Sequence, residues 1–305
     1  MKDCIIVGGG PAGLTAALYL ARFQRSVTVF DAQQGRARMI PQTHNLAPFP
    51  TGISGRDLLV RMRSHAELYG AEVEQAWVSA VEQKGEVFHV TTDRWVETAR
   101  NVIFATGVLN HRPPLSNEDH ARGLAQGLIR YCPVCDGYEV RDQRIAVLGN
   151  GAHGLVEARF IRDYSASVTL IPTRGAVDIA GDGIGVLPSP MKDLALSDSH
   201  VSLTLESGET RQFDTLYVAL GTSACSDLAA RLGVKLADKG CVIANAKQQT
   251  SIPHVYAIGD LTDGLDQIAV AMGQGAVAST AIHNDLSEQG LRPAMAAKAS
   301  RVTWP

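Results

Sequence analysis

Short apolar runs, glycine-centred turns and helix-forming stretches follow one another along most of the 305-residue chain. The run Cys4-Ile5-Ile6-Val7 is continuous rather than alternating, which predicts a strand buried on both faces. Gly8-Gly9-Gly10-Pro11-Ala12-Gly13 follows as a turn, and Leu14 to Arg22 as a helix. A second strand, Ser26 to Phe30, ends at Asp31. The same order returns further on, with a strand at Ile145 to Leu148, a turn at Gly149-Asn150-Gly151-Ala152-His153-Gly154 and a strand at Ser167 to Ile171. Both repeats close alike: an apolar strand at Asn101 to Phe104 precedes Ala105-Thr106-Gly107, and one at Thr215 to Val218 precedes Ala219-Leu220-Gly221-Thr222. A last short strand runs into Gly259-Asp260. Strands alternating with helices in this way predict an α/β fold built from two Rossmann-like dinucleotide-binding domains.

The first turn has the spacing that a dinucleotide pyrophosphate requires. Gly8 makes the tight turn, Gly10 lets the backbone approach the phosphates, and Gly13 lets helix and strand pack closely. Helix N-H groups then face the anion. Asp31 stands 18 residues after Gly13, where a carboxylate accepts hydrogen bonds from a ribose hydroxyl. The pyrophosphate motif together with Asp31 makes sense only for a dinucleotide, and so predicts FAD rather than FMN once a flavin is implied.

Between the repeats lies Tyr131-Cys132-Pro133-Val134-Cys135-Asp136-Gly137. Two residues between cysteines put both sulfurs on one turn, where a disulfide forms with little strain. A structural zinc site needs a second ligand pair at fitting spacing, and His153 and Cys225 supply none, so no metal is expected. A free thiol near pKa of about 8.5 is mostly protonated at neutral pH, so exchange needs a lowered pKa or a nearby acid for the leaving sulfur. Asp136 is placed to be that acid. Cys4, Cys225 and Cys241 sit in apolar or mixed surroundings and read as structural thiols.

Composition changes this picture little. A net charge of -3, with no Lys/Arg block, removes the electrostatic footprint of nucleic-acid binding. No stretch approaches the roughly 20 apolar residues of a membrane span. The N-terminus enters its first strand without a signal-peptide core, so a cytoplasmic location is expected.

GGGPAG at the start, ATG at 105 to 107, CPVCDG before a second glycine turn and AIGD near the end together resemble the low-molecular-weight thioredoxin reductases over almost the whole chain. The resemblance implies an FAD domain made of residues 1–112 and 246–305, interrupted by an NAD(P)H-binding-like domain at 113–245 that carries the cysteine pair. It implies flavin contacts from Gly8, Gly10, Pro11, Ala12, Gly13, Asp31, Asn45, Thr106, Gly107, Gly259 and Asp260, the last on the ribityl chain. It also places the start of a helix at Gln267, Ile268 and Ala269 against the flavin. Cys135 is then the flavin-proximal thiol, Cys132 the nucleophile and Asp136 the proton donor. The implied partner is a thioredoxin-like protein or a small disulfide or dithiol, and the implied assembly is a homodimer.

The second repeat departs from that pattern. Twenty-three residues from the first glycine of each turn lie Asp31 and Pro172, so the second site has no carboxylate for an NAD ribose. Where the family places His-Arg-Arg against the 2'-phosphate of NADPH, this chain has Pro172-Thr173-Arg174, and only Arg174 remains. Gly149, Gly151, His153, Gly154 and Arg174 therefore mark a second nucleotide site or a vestigial one. NADPH and NADH are both disfavoured as reductants. A ferredoxin-type donor, oxidation of a small dithiol by oxygen, and an ordinary NADPH-dependent reductase with unidentified compensations stay as alternatives. Only 46 residues separate Arg174 from Gly221, and Gly181, Gly183, Gly185, Pro188 and Pro190 predict loops there. Trp304, at the end of a long tail after Leu286, is a candidate to stack over the flavin ring.

Overall fold

The structure, a computed structural model, describes residues 1–174 and 183–293, so Gly181 and Trp304 lie outside the described residues. In chain order the first elements are β1 (Lys2–Val7), α1 (Pro11–Arg22), β2 (Val27–Phe30), α2 (Gly55–Leu68), β3 (Glu72–Glu74), β4 (Val78–Lys84), β5 (Val87–Thr92) and β6 (Val96–Phe104). Next come β7 (Val108–Asn110), α3 (Asn117–Ala125), β8 (Ile129–Arg130), α4 (Pro133–Asp136), β9 (Arg144–Gly149), α5 (Gly151–Arg162) and β10 (Ser167–Ile171). The chain continues through β11 (Gly185–Val186), β12 (Met191–Leu196), β13 (Val201–Leu205), β14 (Thr210–Phe213), β15 (Thr215–Ala219) and β16 (Thr222–Ala224). It closes with α6 (Asp227–Leu232), β17 (Val255–Ala257) and α7 (Ile268–Glu288).

Two compact units result, one from Met1–Arg38, Ser54–Leu109 and the chain from Ser223 on, the other from Met39–Ile53 and Asn110–Thr222. In the first, β3, β2, β1, β6 and β17 form a parallel sheet, and the antiparallel strands β5 and β4 extend it from the N-terminal half of β6. In the second, β11, β10, β9, β15 and β8 form an all-parallel sheet, with β12, β13 and β14 as a separate antiparallel sheet. The two strands that carry the chain across, β7 and β16, pair with each other. The fold is thus two dinucleotide-binding domains with the second inserted into the first.

The domain limits differ from those expected at 112/113 and 245/246. The first crossing falls at 109/110 and the second at 222/223. Residues 223–245 belong with the first unit because Ala229, Val234 and Val242 are buried in one core with Val78, Val81 and Val90. Arg231 fastens α6 further by donating from Nη2 to the Ser79 carbonyl at 2.9 Å. A hydrophobic pattern alone does not say which of two cores such short apolar segments join. The segment 39–53, expected in the first domain, groups with the second. The glycine- and proline-rich stretch after Arg174 is also more regular than expected, since Gly185 opens β11 and pairs with Thr169.

The second sheet shows why its strands read as continuous apolar runs. Ala146, Leu148, Leu216 and Val218 enter one core, while Ile145, Val147, Tyr217 and Ala219 enter another on the opposite face with Val140, Ala158 and Ile161. Side chains alternate faces along a strand, so both faces must be apolar when both are covered. Tyr217 is accordingly fully buried, on the face covered by α5.

In the first unit α7 crosses α1 at Gly275, where a Cβ would stand 2.5 Å from the Ala12 carbonyl oxygen. Gly275→Ala should therefore cost about 1–3 kcal/mol by overpacking. Gly273, in the same helix with nothing within 4 Å of a Cβ, is the control. Gly273→Ala should gain about 0.5–1 kcal/mol from helix propensity. Melting temperatures that move in opposite directions for the two variants are the expected result.

Candidate active site

The first glycine turn works by exclusion. A Cβ on Gly8 would lie 2.3 Å from the Ala105 carbonyl oxygen, and Gly8 has φ +113°, a conformation that side chains disfavour. A Cβ on Gly13 would lie 2.0 Å from the Gly8 carbonyl oxygen, so helix and strand touch backbone to backbone. Gly10 has open space around its missing Cβ. As the N-cap of α1, with Pro11 at the first helical position where its missing N-H costs nothing, it leaves the helix N-terminus accessible. The residues present fit a dinucleotide pyrophosphate on this count.

Gly9 has a reason the sequence did not reveal: a Cβ there would stand 2.5 Å from Asp31 Cγ. Asp31 Oδ1 accepts from the Gln33 N-H at 2.9 Å, so its carboxylate is oriented beside the turn. Thr106 and Gly107 are tied to the residue that follows β16, since Thr106 Oγ1 donates to the Cys225 carbonyl at 2.7 Å and the Gly107 carbonyl accepts from Cys225 N-H at 2.9 Å.

Gly259, at φ +73°, packs against Ala12 and donates its N-H to Gln274 Oε1 at 2.6 Å. Asp260 is paired with Arg36 at 3.2 Å, and the same guanidinium holds Asp266 at 2.8 Å. Burial and the neighbouring Asp266 push the Asp260 carboxyl upward against the pull of Arg36. Gln267 caps α7, which begins at Ile268 and runs through Ala269. These residues gather in the first unit. Asn45 lies in the 39–53 segment, which groups with the second unit, and its Oδ1 accepts from Thr43 Oγ1 at 2.9 Å. Arg36 and Gln274 are parts of the site that no motif announced.

The second turn repeats the packing of the first. A Cβ on Gly154 would lie 2.9 Å from the Gly149 carbonyl carbon, and one on Gly149 would lie 2.8 Å from the Ala219 carbonyl oxygen. Gly151, at φ +57°, is open. Asn150 occupies itself with the end of β10, accepting at Oδ1 from Thr173 N-H at 2.8 Å and Arg174 N-H at 3.4 Å and donating to the Arg174 carbonyl at 3.2 Å. His153 Nε2 meets Glu157 Oε1 at 3.1 Å. Burial pushes the Glu157 carboxyl up to about 7, and its Oε2 is buried with no hydrogen-bond partner among the described residues.

Cys132 and Cys135 form a disulfide at the start of α4, with S–S 2.05 Å and Cα–Cα 5.2 Å. Pro133 starts the helix and Cys132 caps it in extended conformation. The Cys132 carbonyl accepts from Cys135 N-H at 3.0 Å and from Asp136 N-H at 3.3 Å, which closes the turn. Gly137 packs closely here, since a Cβ would stand 3.0 Å from the Tyr164 ring. Tyr131 OH and His120 Nε2 are 2.7 Å apart. Burial and Arg112 lower His120 to about 4, while burial raises Tyr131 to about 12, so at neutral pH the pair is an uncharged imidazole and phenol.

Asp136 is held by two donors, Arg130 Nη1 at 2.7 Å from Oδ2 and Tyr217 OH at 2.7 Å from Oδ1. Burial moves its carboxyl upward, and both donors oppose that movement. Neither Arg130 nor Tyr217 was legible as a site residue. The three remaining thiols all have raised pKa values, burial being the first cause in each, which makes them poor thiolates.

One glycine-turn unit thus carries the Cys132–Cys135 disulfide, and the other an open glycine turn that fits a pyrophosphate. Residues 2–275 match the pyridine nucleotide-disulphide oxidoreductase family model. The chain is 31% identical to the thioredoxin reductase of Mycolicibacterium smegmatis over 308 residues, covering 95% of this chain and 98% of that one. It is also 31% identical to that of Streptomyces clavuligerus, covering 92% of each. The crystal structure of thioredoxin reductase from Streptococcus pyogenes superposes with a TM-score of 0.86 at 28% identity, covering 94% of this chain and 99% of that one. The chain belongs to the pyridine nucleotide-disulphide oxidoreductase family, in its low-molecular-weight thioredoxin reductase group, and is an oxidoreductase and a flavoprotein.

Glu157 provides a check on the electrostatics of the second turn. Its folded carboxyl stands near 7 against an ordinary value of 4.5, so the folded state keeps a proton that the unfolded chain gives up between these values. Stability then falls as pH rises through that window. Glu157→Gln should be more stable than the parent at pH 8 by about 1–3 kcal/mol, with the advantage gone below roughly pH 4.5. Melting temperatures across this range test it, and an equal difference at both ends would count against it.

Proposed function

We propose that the chain is an FAD-dependent disulfide or dithiol oxidoreductase whose Cys132 and Cys135 carry electrons between the flavin and a thioredoxin-like protein or a small disulfide or dithiol. The observation that carries this reading is the Cys132–Cys135 disulfide on the first turn of α4, with Asp136 anchored at the same turn. Cys132 is the sulfur that exchanges with substrate and Cys135 the one that meets the flavin. The open Gly10, the close approach of Gly13 to Gly8, and Asp31 beside Gly9 support FAD, which when bound supplies a two-electron carrier. The enzyme acts as a homodimer in the cytoplasm. No described helix is long and apolar enough to cross a membrane.

The reductant in this reading is not NADPH or NADH. A 2'-phosphate carries close to two negative charges and is normally met by several cationic donors in fork geometry. At the end of β10 Arg174 is the cation that the strand end itself supplies, and Asn150 is committed to the backbone of Thr173 and Arg174. Pro172 has no N-H and no carboxylate for a ribose. Each missing charge-assisted contact should cost about 1.5–3 kcal/mol. A ferredoxin-type protein or a dithiol substrate is then the source of electrons.

Three measurements test these statements. Acid release of the chromophore followed by chromatography should yield FAD, and recovery of FMN would refute the cradle assignment. Cys132→Ser should develop a long-wavelength absorption band at mildly alkaline pH as Cys135 thiolate meets the flavin; a band only in Cys135→Ser would reverse the order. Anaerobic addition of millimolar NADPH, then NADH, should bleach the flavin slowly compared with dithionite. Rapid bleaching by NADPH at rates fit for turnover would restore an ordinary NADPH-dependent reductase.

A further inference from the structure

The register of the second sheet places two donors on one carboxylate. Arg130 and Tyr217 are direct partners across the parallel pair β8 and β15, and Asp136 follows Arg130 by six residues through the redox turn. Each donor takes a different oxygen, Arg130 Nη1 on Oδ2 and Tyr217 OH on Oδ1, both at 2.7 Å. Tyr217 is fully buried, so its hydroxyl has no bulk water to turn to. Arg130 Nε is buried with no hydrogen-bond partner among the described residues. A cation that leaves one of its N-H groups unmatched in order to reach one carboxylate contributes little as a mere clamp, because such an orphan carries a desolvation cost. Glu139, in the turn after Asp136, is the other charge that acts on the group, and it pushes the opposite way.

We infer that Arg130 and Tyr217 are positioning residues that hold Asp136 as a resting carboxylate, so that it takes a proton from an attacking thiol and returns it to the departing sulfur. The inference rests on the reading that Asp136 exchanges protons with the Cys132–Cys135 reaction. For a dithiol substrate, the thiolate sulfur bonds to Cys132 Sγ, and the Cys132–Cys135 bond breaks with its electron pair going to Cys135. The second substrate thiol passes its proton to Asp136 and attacks the first substrate sulfur. The mixed disulfide then breaks, its pair goes to Cys132, and Cys132 takes the proton back from Asp136. The substrate leaves as a disulfide, the cysteine pair is reduced, and Asp136 is again a carboxylate. Disulfide reduction runs through the same steps in reverse, so one resting state serves both directions.

The test is the pH profile of disulfide reduction by excess dithiothreitol between pH 5 and 9. The reaction is quenched with an alkylating agent, read from the mass of the Cys132–Cys135 peptide, and divided by the fraction of reagent present as thiolate. The parent enzyme should lose rate as pH falls through the Asp136 titration. Removing a donor destabilises the carboxylate and moves that loss to higher pH. The acid limb should move up by about one pH unit in Tyr217→Phe and by about 1–3 units in Arg130→Met, with Arg130→Lys restoring part of the difference. Melting curves identify any variant that fails to fold, and Tyr217→Phe, which keeps the ring, then carries the test. If Asp136→Asn leaves both rate and limb unchanged, the proton-exchange reading of Asp136 fails and the inference with it. If Asp136→Asn slows the reaction and removes the limb while folded Tyr217→Phe and Arg130→Met keep the parent limb, the inference alone is overturned.

Discussion

Backbone-to-backbone contact between the first helix of each unit and the strand before it is the constraint on which the rest depends. At Gly13 and again at Gly154, a single methyl group would collide with the turn glycine of its own motif, Gly8 or Gly149. No rotamer relieves such a collision, because the obstacle is backbone rather than the far end of a flexible side chain. The helix axis is therefore held against the sheet, and its N-terminus is left at the carboxyl ends of the strands, the place where open α/β sheets bind ligands. The same contact recurs in both units. What differs is the chemistry around it: Asp31 beside Gly9 in the first, Asn150 bound to the end of β10 in the second.

That difference connects the fold to the question of electron supply. In the first unit the turn is open at Gly10, and Asp31 beside it accepts from the Gln33 N-H. In the second, the Asn150 side chain within the turn already satisfies the backbone of Thr173 and Arg174, and burial pushes the Glu157 carboxyl up to about 7. The cysteine turn is held at several points. Gly137 fits under Tyr164, the Cys132 carbonyl closes the helix start, and Asp136 is fixed from two strands at once.

The elements that were legible in the sequence are those where one physical demand selects one residue type. Glycines needed for close approach, continuous apolar runs in strands covered on both faces, and two cysteines on one turn are of this kind, and Ser167–Ile171 forms a strand with the expected ends. Residues whose role comes from tertiary register were not legible. Arg130 and Tyr217 lie 87 positions apart and meet Asp136 only because β8 pairs with β15 in one register. Arg36 reaches Asp260 across 224 positions. That residues 223–245 pack with the first unit was hidden for a related reason, since α6 and Val242 are short apolar segments that either core could take up.

The central claim is that the Cys132–Cys135 disulfide and the flavin form one electron-sharing system. Anaerobic titration of the FAD-loaded protein with dithionite, followed through the flavin spectrum, measures this by electron count. The account predicts that the parent takes up twice as many electrons as the flavin alone accepts, and that a variant with both Cys132 and Cys135 replaced by serine takes up only the flavin's share. Equal uptake by the two proteins would mean that the disulfide exchanges no electrons with the flavin and would contradict the account.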